Sequence, residues 1–283
     1  MTDLLTVTGL RKTYTVKGPD GAEEFTAVDD VSFSIPAAGS LAVVSQSGSG
    51  KTTCARIVAG LESATAGTVK LDGENRSTGR IGRAERKRCA RQVQMVFQDP
   101  NSSLDPRQTA AAAIAEVLDE HRNGRPRATD AQVGELLEQV GLDERTGRCW
   151  PRALSGGQRQ RVAIARALAA RPRLLIFDEA VAALDVSVQA QVLNLLDDLR
   201  RTTGVVYLFV SHDLGVVRQI SDDCVVMHKG RIVEAGPTAE VLDNPRHDYT
   251  RRLLQAVPRA GWKPRRQRDR EEGSVGFTWQ PAG

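Results

Sequence analysis

No apolar run in this chain approaches the roughly 18 residues needed to cross a bilayer. The strongest candidate, Val205-Val206-Tyr207-Leu208-Phe209-Val210, is only strand-length. The first residues, Met1-Thr2-Asp3-Leu4-Leu5, lack the basic flank and apolar stretch of a secretory signal. We therefore expect a chain that stays in the cytosol unless a partner carries it to a membrane. Cysteine is scarce and scattered at Cys54, Cys89, Cys149 and Cys224, with no CxxC pair. That argues against a metal knuckle or redox motif and for free thiols in a reducing compartment. Surplus charge is also scarce on the body. The net charge is +4, and the tail from Arg259 onward holds six basic residues against three acidic ones. A nucleic-acid binder needs its basic face on the folded part, so that class is disfavoured. The tail itself reads as a solvated extension, with contact to anionic lipid headgroups as the functional alternative.

What is present fits an ordinary globular protein of 283 residues, 40% hydrophobic and 26% charged. That length allows one large α/β domain or two modest ones. Val31, Phe33 and Ile35 alternate with serines, as in a half-buried antiparallel strand. Leu41-Ala42-Val43-Val44 is continuously apolar, as in a strand buried on both faces. A Gly/Ser turn follows, then helical spacing from Thr53 to Leu61 at Ile57, Val58 and Leu61. The stretch from Asp99 to about Ala153 is helical in pattern. It contains Ala110 to Leu118 and Ala131 to Val140, separated by the breakers Asn123-Gly124-Arg125-Pro126. Gln158 to Ala170 is a further helix, and Leu174 to Phe177 and Val205 to Val210 are buried strands. After about Pro237 we expect a short helix, a turn and a Pro/Arg/Gly-rich tail.

Three motifs carry chemistry. Ser45-Gln46-Ser47-Gly48-Ser49-Gly50-Lys51-Thr52 is close to the phosphate-loop pattern GxxxxGK[ST]. Small residues let successive N–H groups curl around phosphate, and the helix beginning near Lys51 adds its positive end. Lys51 suits the β- and γ-phosphates, and the Thr52 hydroxyl suits Mg²⁺. Ser45 replaces the first glycine. If that position needs φ > 0, serine costs about 1 kcal/mol; if it needs only a small side chain, serine is tolerated. Leu174-Leu175-Ile176-Phe177-Asp178-Glu179 ends a strand in two carboxylates. Asp178 suits a Mg²⁺ shell and Glu179 a general base, although paired acids after a strand can also be surface charge. Leu154-Ser155-Gly156-Gly157-Gln158 places small residues at a helix N-terminus, a second phosphate-binding geometry.

That last segment, continued through Arg159-Gln160-Arg161, resembles the signature motif of the ABC ATPase superfamily, and the resemblance covers roughly residues 4 to 255. It implies a P-loop ABC ATPase fold in the α/β class: a mixed sheet with an antiparallel β subdomain, plus a helical subdomain. The expected division is residues 1–98 and 161–236 for the core, 99–160 for the helical signature part and 237–283 for a C-terminal extension. The resemblance also implies ATP and Mg²⁺ as ligands and a sandwich dimer. In that dimer Ser155, Gly156, Gly157 and Gln158 face the nucleotide of the other cassette. Gln98 matches the Q-loop glutamine, near Mg²⁺ and the attacking water. Asp185 matches the D-loop acid, His212 the switch histidine and Tyr14 the aromatic that stacks on adenine. Ser45 to Thr53 would surround the phosphates. Two small departures, Ala180 for proline and Ala182 for serine, remove no reacting group.

Three stretches are similar to the ATPases of oligopeptide, dipeptide and nickel importers: Gln98 to Arg107, Asp185 to Gln191 and Asn244 to Leu254. The resemblance implies an ATP-hydrolysing subunit at the cytoplasmic face of the membrane. Its expected partners are a second, non-identical ABC ATPase, two permease subunits and, indirectly, an extracytoplasmic solute-binding protein, with no nucleic acid. No cysteine follows Cys224, so no iron–sulfur cluster is expected. The alternatives are a regulatory cassette with weak hydrolysis and a soluble ABC ATPase acting on DNA or ribosomes.

Overall fold

A computed structural model describes residues 3–18, 21–76, 82–99, 103–121 and 127–256. The breakers at Asn123 to Pro126, the segment Pro100 to Ser102 and the tail from Arg259 lie outside the described residues. Among the described residues ten strands form two sheets. β1 (Asp3–Gly18), β2 (Gly21–Pro36), β4 (Ala66–Leu71) and β5 (Glu74–Arg76) make an antiparallel sheet in the order β2-β1-β4-β5. β3 (Ser40–Val44), β6 (Val93–Val96), β7 (Leu174–Asp178), β8 (Val206–Ser211), β9 (Asp223–His228) and β10 (Arg231–Pro237) make the other, in the order β10-β9-β3-β8-β7-β6. The five strands β9, β3, β8, β7 and β6 run parallel, and β10 returns antiparallel to β9. This is the mixed sheet with an antiparallel subdomain that the resemblance implied.

The continuous apolar runs explain why the parallel strands sit inside. Side chains alternate across a strand, so a run that is apolar at every position needs cover on both faces. Ala42, Val44, Leu175, Phe177, Tyr207 and Phe209 point into one core. Leu41, Val43, Leu174, Ile176, Val206, Leu208 and Val210 point into the other, shared with the antiparallel sheet. Phe177 stacks on Phe209 at 4.5 Å between ring centres, and Tyr207 meets both edge-on. The Tyr207 hydroxyl donates to the Leu196 carbonyl at 2.9 Å, so its polar tip is satisfied inside the core.

Ten α-helices of the described residues complete the chain. α1 (Lys51–Ala59) follows β3, and α2 (Arg83–Gln92) precedes β6. α3 (Ala110–Glu120) and α4 (Asp130–Gln139) pack beside α6 (Gly156–Ala169), and the short α5 (Glu144–Gly147) packs against α3 and α4. α6 runs unbroken across residues 160–161, so the expected core and signature parts share this helix. α7 (Val186–Thr203) and α8 (Leu214–Ile220) flank β8, and α9 (Thr238–Asp243) and α10 (Asp248–Gln255) end the described chain. One helix is shorter than its pattern. α1 stops at Ala59 because Gly60, at φ 75°, turns the chain left-handed and bonds back to Arg56 and Ile57. Leu61 therefore lies outside the helix and is exposed. Among the described residues all four cysteines are free thiols, and burial pushes the Cys54 thiol up to about 12.

Candidate active site

The parallel strands place their carboxyl ends on one edge, where ligands bind in open α/β sheets. β3 delivers the loop Ser45 to Gly50, β6 delivers Gln98, β7 delivers Asp178 and Glu179, and β8 delivers His212. A cleft of about 510 Å³ opens there. It is lined by Tyr14, Phe25, Ala27, the run Ser47 to Thr53, Gln98 and Glu179. Gly50 stands at the N-cap of α1 with φ 97°, and no side chain caps that helix end. Its first N–H groups thus remain available for an anion.

The loop is braced from within. The Lys51 ammonium donates to the Ser45 carbonyl at 3.1 Å, the Ser45 hydroxyl at 3.0 Å and the Gln46 carbonyl at 3.0 Å. The Ser45 hydroxyl in turn donates to the Gln46 carbonyl at 2.9 Å and pairs with Ser49. Ser45 is fully buried and is not among the residues with positive φ, so its replacement of glycine carries no left-handed cost. Neither Ser45 nor Gln46 lines the cleft. Burial lowers the Lys51 pKa, and the charges of Glu179 and Asp178 oppose that shift.

The Thr52 hydroxyl donates to Asp178 at 2.9 Å. Burial raises the Asp178 pKa, against the hydrogen bond from Thr52. A hydroxyl and a buried carboxylate side by side form a hard oxygen pair, the donor chemistry Mg²⁺ prefers. Glu179 adopts φ 50°, in the left-handed region, and its N–H donates to the Val210 carbonyl at 2.9 Å. That conformation costs a residue with a Cβ roughly 1–2 kcal/mol. It turns the Glu179 side chain to the cleft while Asp178 stays on the strand. His212 Nδ1 lies 3.4 Å from the Glu179 carboxylate, and the His212 side chain is half exposed.

Other expected site residues lie elsewhere. Ser155 caps α6: its hydroxyl accepts from the Gln158 N–H at 3.2 Å, and the Gln158 side chain accepts from the Ser155 N–H at 2.9 Å. Gly156 and Gly157 open that helix, and a Cβ on Gly157 would lie 2.4 Å from Val188 Cγ1. Asp185 caps α7, accepting from the Val188 N–H at 2.9 Å, and that bond holds its pKa below the usual carboxylate range. None of these five residues lines the cleft. Tyr14 does, with its hydroxyl bonded to Glu62 and Lys12 over its ring. Phe25, directly across from Tyr14 in the β1–β2 pairing, was not anticipated. Its signal was an aromatic among Glu23, Glu24 and Thr26, but the facing partner depends on register.

Comparison with known proteins accords with this geometry. The ABC transporter family model matches residues 28–182, and the model of the oligopeptide/dipeptide transporter C-terminal region matches residues 233–278. The oligopeptide transport ATP-binding protein OppF of Bacillus subtilis is 48% identical over 82% of this chain and 76% of its own length. The glutathione import ATP-binding protein GsiA of Salmonella choleraesuis is 46% identical over 87% of this chain, which spans only 39% of that protein. Among solved structures, a dimeric ATP-binding cassette in a post-hydrolysis state with ADP and Pi superposes with a TM-score of 0.72. It is 28% identical and covers 83% of this chain and 98% of that chain.

Proposed function

This chain belongs to the ABC transporter family, in the oligopeptide/dipeptide importer group, as an ATPase coupled to transport; from that premise we propose that it powers import of peptides or related small solutes. The observation that supports this most is the shared cleft, where the phosphate loop, Gln98 and Glu179 meet at one sheet edge with His212 beside Glu179. The relatives are named as transport and import proteins, which favours import over the regulatory alternative.

In the proposed reaction, the Ser47 to Thr52 amides and Lys51 bind the phosphates of ATP, and Tyr14 stacks on the adenine. Glu179 takes a proton from water as that water attacks the γ-phosphorus. The bond from the γ-phosphorus to the bridging oxygen breaks, leaving ADP and phosphate. His212 and Lys51 stabilise the transferring phosphoryl group. Thr52, Asp178 and Gln98 would hold Mg²⁺, which when bound neutralises phosphate charge. Ser155, Gly156, Gly157, Gln158 and Asp185 serve across a dimer with a second, non-identical cassette. Residues 1–98 and 161–236 act as the nucleotide core, 99–160 as the signature part and 237–283 as the extension. Among the described residues no helix is long and apolar enough to cross a membrane. We place the chain at the cytoplasmic membrane face through two permease subunits, with a binding protein delivering solute.

Glu179→Gln in the assembled transporter tests the assignment. ATP binding should persist while turnover falls by roughly 10²-fold or more. Turnover at the wild-type level would remove Glu179 from the role of base.

A further inference from the structure

We infer that Tyr249, on the C-terminal helix α10, is a positioning residue that anchors the phosphate loop and so sets ATP affinity. The inference rests on the phosphate loop binding ATP. The Gln46 N–H donates to the Tyr249 hydroxyl at 3.2 Å, across 203 residues of sequence. Gln46 is the residue immediately before the run Ser47 to Thr53 that lines the cleft. Its carbonyl is already held by Lys51 and by Ser45. The hydroxyl of Tyr249 therefore fixes the other side of the same residue, and the loop enters the cleft from a point pinned on both sides.

The anchor is itself rigid. Tyr249 is buried in the core with Val241, Leu242 and Leu253, and its ring stacks on His228 with centres 4.0 Å apart. The His247 ring accepts from the Tyr249 N–H at 3.1 Å. Glu234 accepts from the N–H groups of Arg246 at 2.7 Å and His247 at 3.1 Å, tying the start of α10 to β10. Tyr249 lies within the C-terminal segment matched at residues 233–278. That segment thus reaches the nucleotide site through one hydroxyl. A loop organised before ligand arrives loses less freedom on binding, which appears as affinity.

Tyr249→Phe deletes the hydroxyl and keeps the ring on His228. In the full chain, we expect the Kd for ATP to rise roughly threefold to tenfold. In the assembled transporter, KM should rise by a similar factor with kcat within about twofold of wild type. Amide hydrogen exchange at Gln46, slow in the wild-type chain without nucleotide, should quicken in the variant. Leu253→Ala loosens the same helix without touching Gln46 and should leave ATP affinity within about twofold of wild type. Unchanged affinity in Tyr249→Phe, equal weakening in Leu253→Ala, or an unprotected Gln46 amide in the wild-type chain would each overturn the inference. The last readout decides the matter even if a variant folds poorly. Failure of the wild-type chain to bind ATP would instead refute the function on which the inference rests.

Discussion

Replacing Gly50 by alanine should damage both the fold and the nucleotide site, and Gly48→Ala supplies the matched control. Both glycines are left-handed, at φ 97° for Gly50 and φ 79° for Gly48. A left-handed alanine costs roughly 1–2 kcal/mol, less about 0.4–1 kcal/mol for the stiffer unfolded chain. For Gly48 that is the whole effect, because an added Cβ meets nothing within 4 Å. The net loss should be about 1 kcal/mol, or roughly 2–4 °C in melting temperature. At Gly50 the Cβ would fall 2.1 Å from the Ala27 carbonyl oxygen, where real contacts essentially never go below 3.0 Å. Relieving that overlap means moving one backbone against another, at about 1–3 kcal/mol more. The Ala27 carbonyl is not free to retreat, since, two residues on, the Asp29 N–H is bonded to the Gly230 carbonyl at 2.8 Å and ties this stretch of β2 in place. Gly50→Ala should therefore melt roughly 4–16 °C below wild type without nucleotide. Its ATP affinity should fall tenfold or more, on the order of 1.4 kcal/mol, because Ala27 and the loop line the same cleft. Thermal unfolding and equilibrium ATP binding on the three chains decide it. Equal melting shifts for the two variants would show that strand-to-loop contact is not what demands glycine at 50.

Two further outcomes follow from contacts elsewhere. Gly157→Ala should destabilise the chain by about 1–3 kcal/mol, through collision with Val188 on α7, and Val188→Ala should restore most of that loss in a double-mutant cycle. Additive losses in thermal unfolding would sink that account. Asp178→Asn should raise the melting temperature of the nucleotide-free chain at pH 7 while cutting Mg-ATP hydrolysis roughly tenfold or more. The sign comes from the raised pKa: this group favours the folded state below its unfolded pKa, and that contribution is lost as pH rises through the folded value. The stabilisation by asparagine should accordingly shrink as the pH is lowered toward 4, and a gain that grows instead would contradict burial as the cause.

Much of the site is legible in local sequence. A strand, a Gly/Ser loop and a helix in that order can hold phosphate only at the loop, so Lys51 and Thr52 stand out. Asp178 and Glu179 stand out because an uninterrupted apolar run has to end where they begin. The Ser155 cap is legible for a similar reason, as small and polar residues before a helical pattern. Pairing between distant segments is not. The hairpin of β1 and β2, which sets Phe25 across from Tyr14, depends on a register that no local pattern encodes. β9 is equally hidden, since a short apolar segment takes its state from the neighbours it meets.

Spacing within a few residues dictates loop, strand and helix end, so the linear order of residues was enough to single out the Ser47 to Thr53 loop and the Asp178-Glu179 pair at the strand end, while Gln98, His212 and Tyr14 stood out only through the family resemblance. How those groups stand is a tertiary matter. Packing keeps Ser45 out of the left-handed region and puts Glu179 into it, where the carbonyl of the distant Val210 receives its N–H. It also brings a C-terminal tyrosine to the phosphate loop. The physical reason is the same in each case. Backbone angle and hydrogen-bond partner are set by what packs alongside, and in a parallel sheet the adjacent strands are distant in sequence.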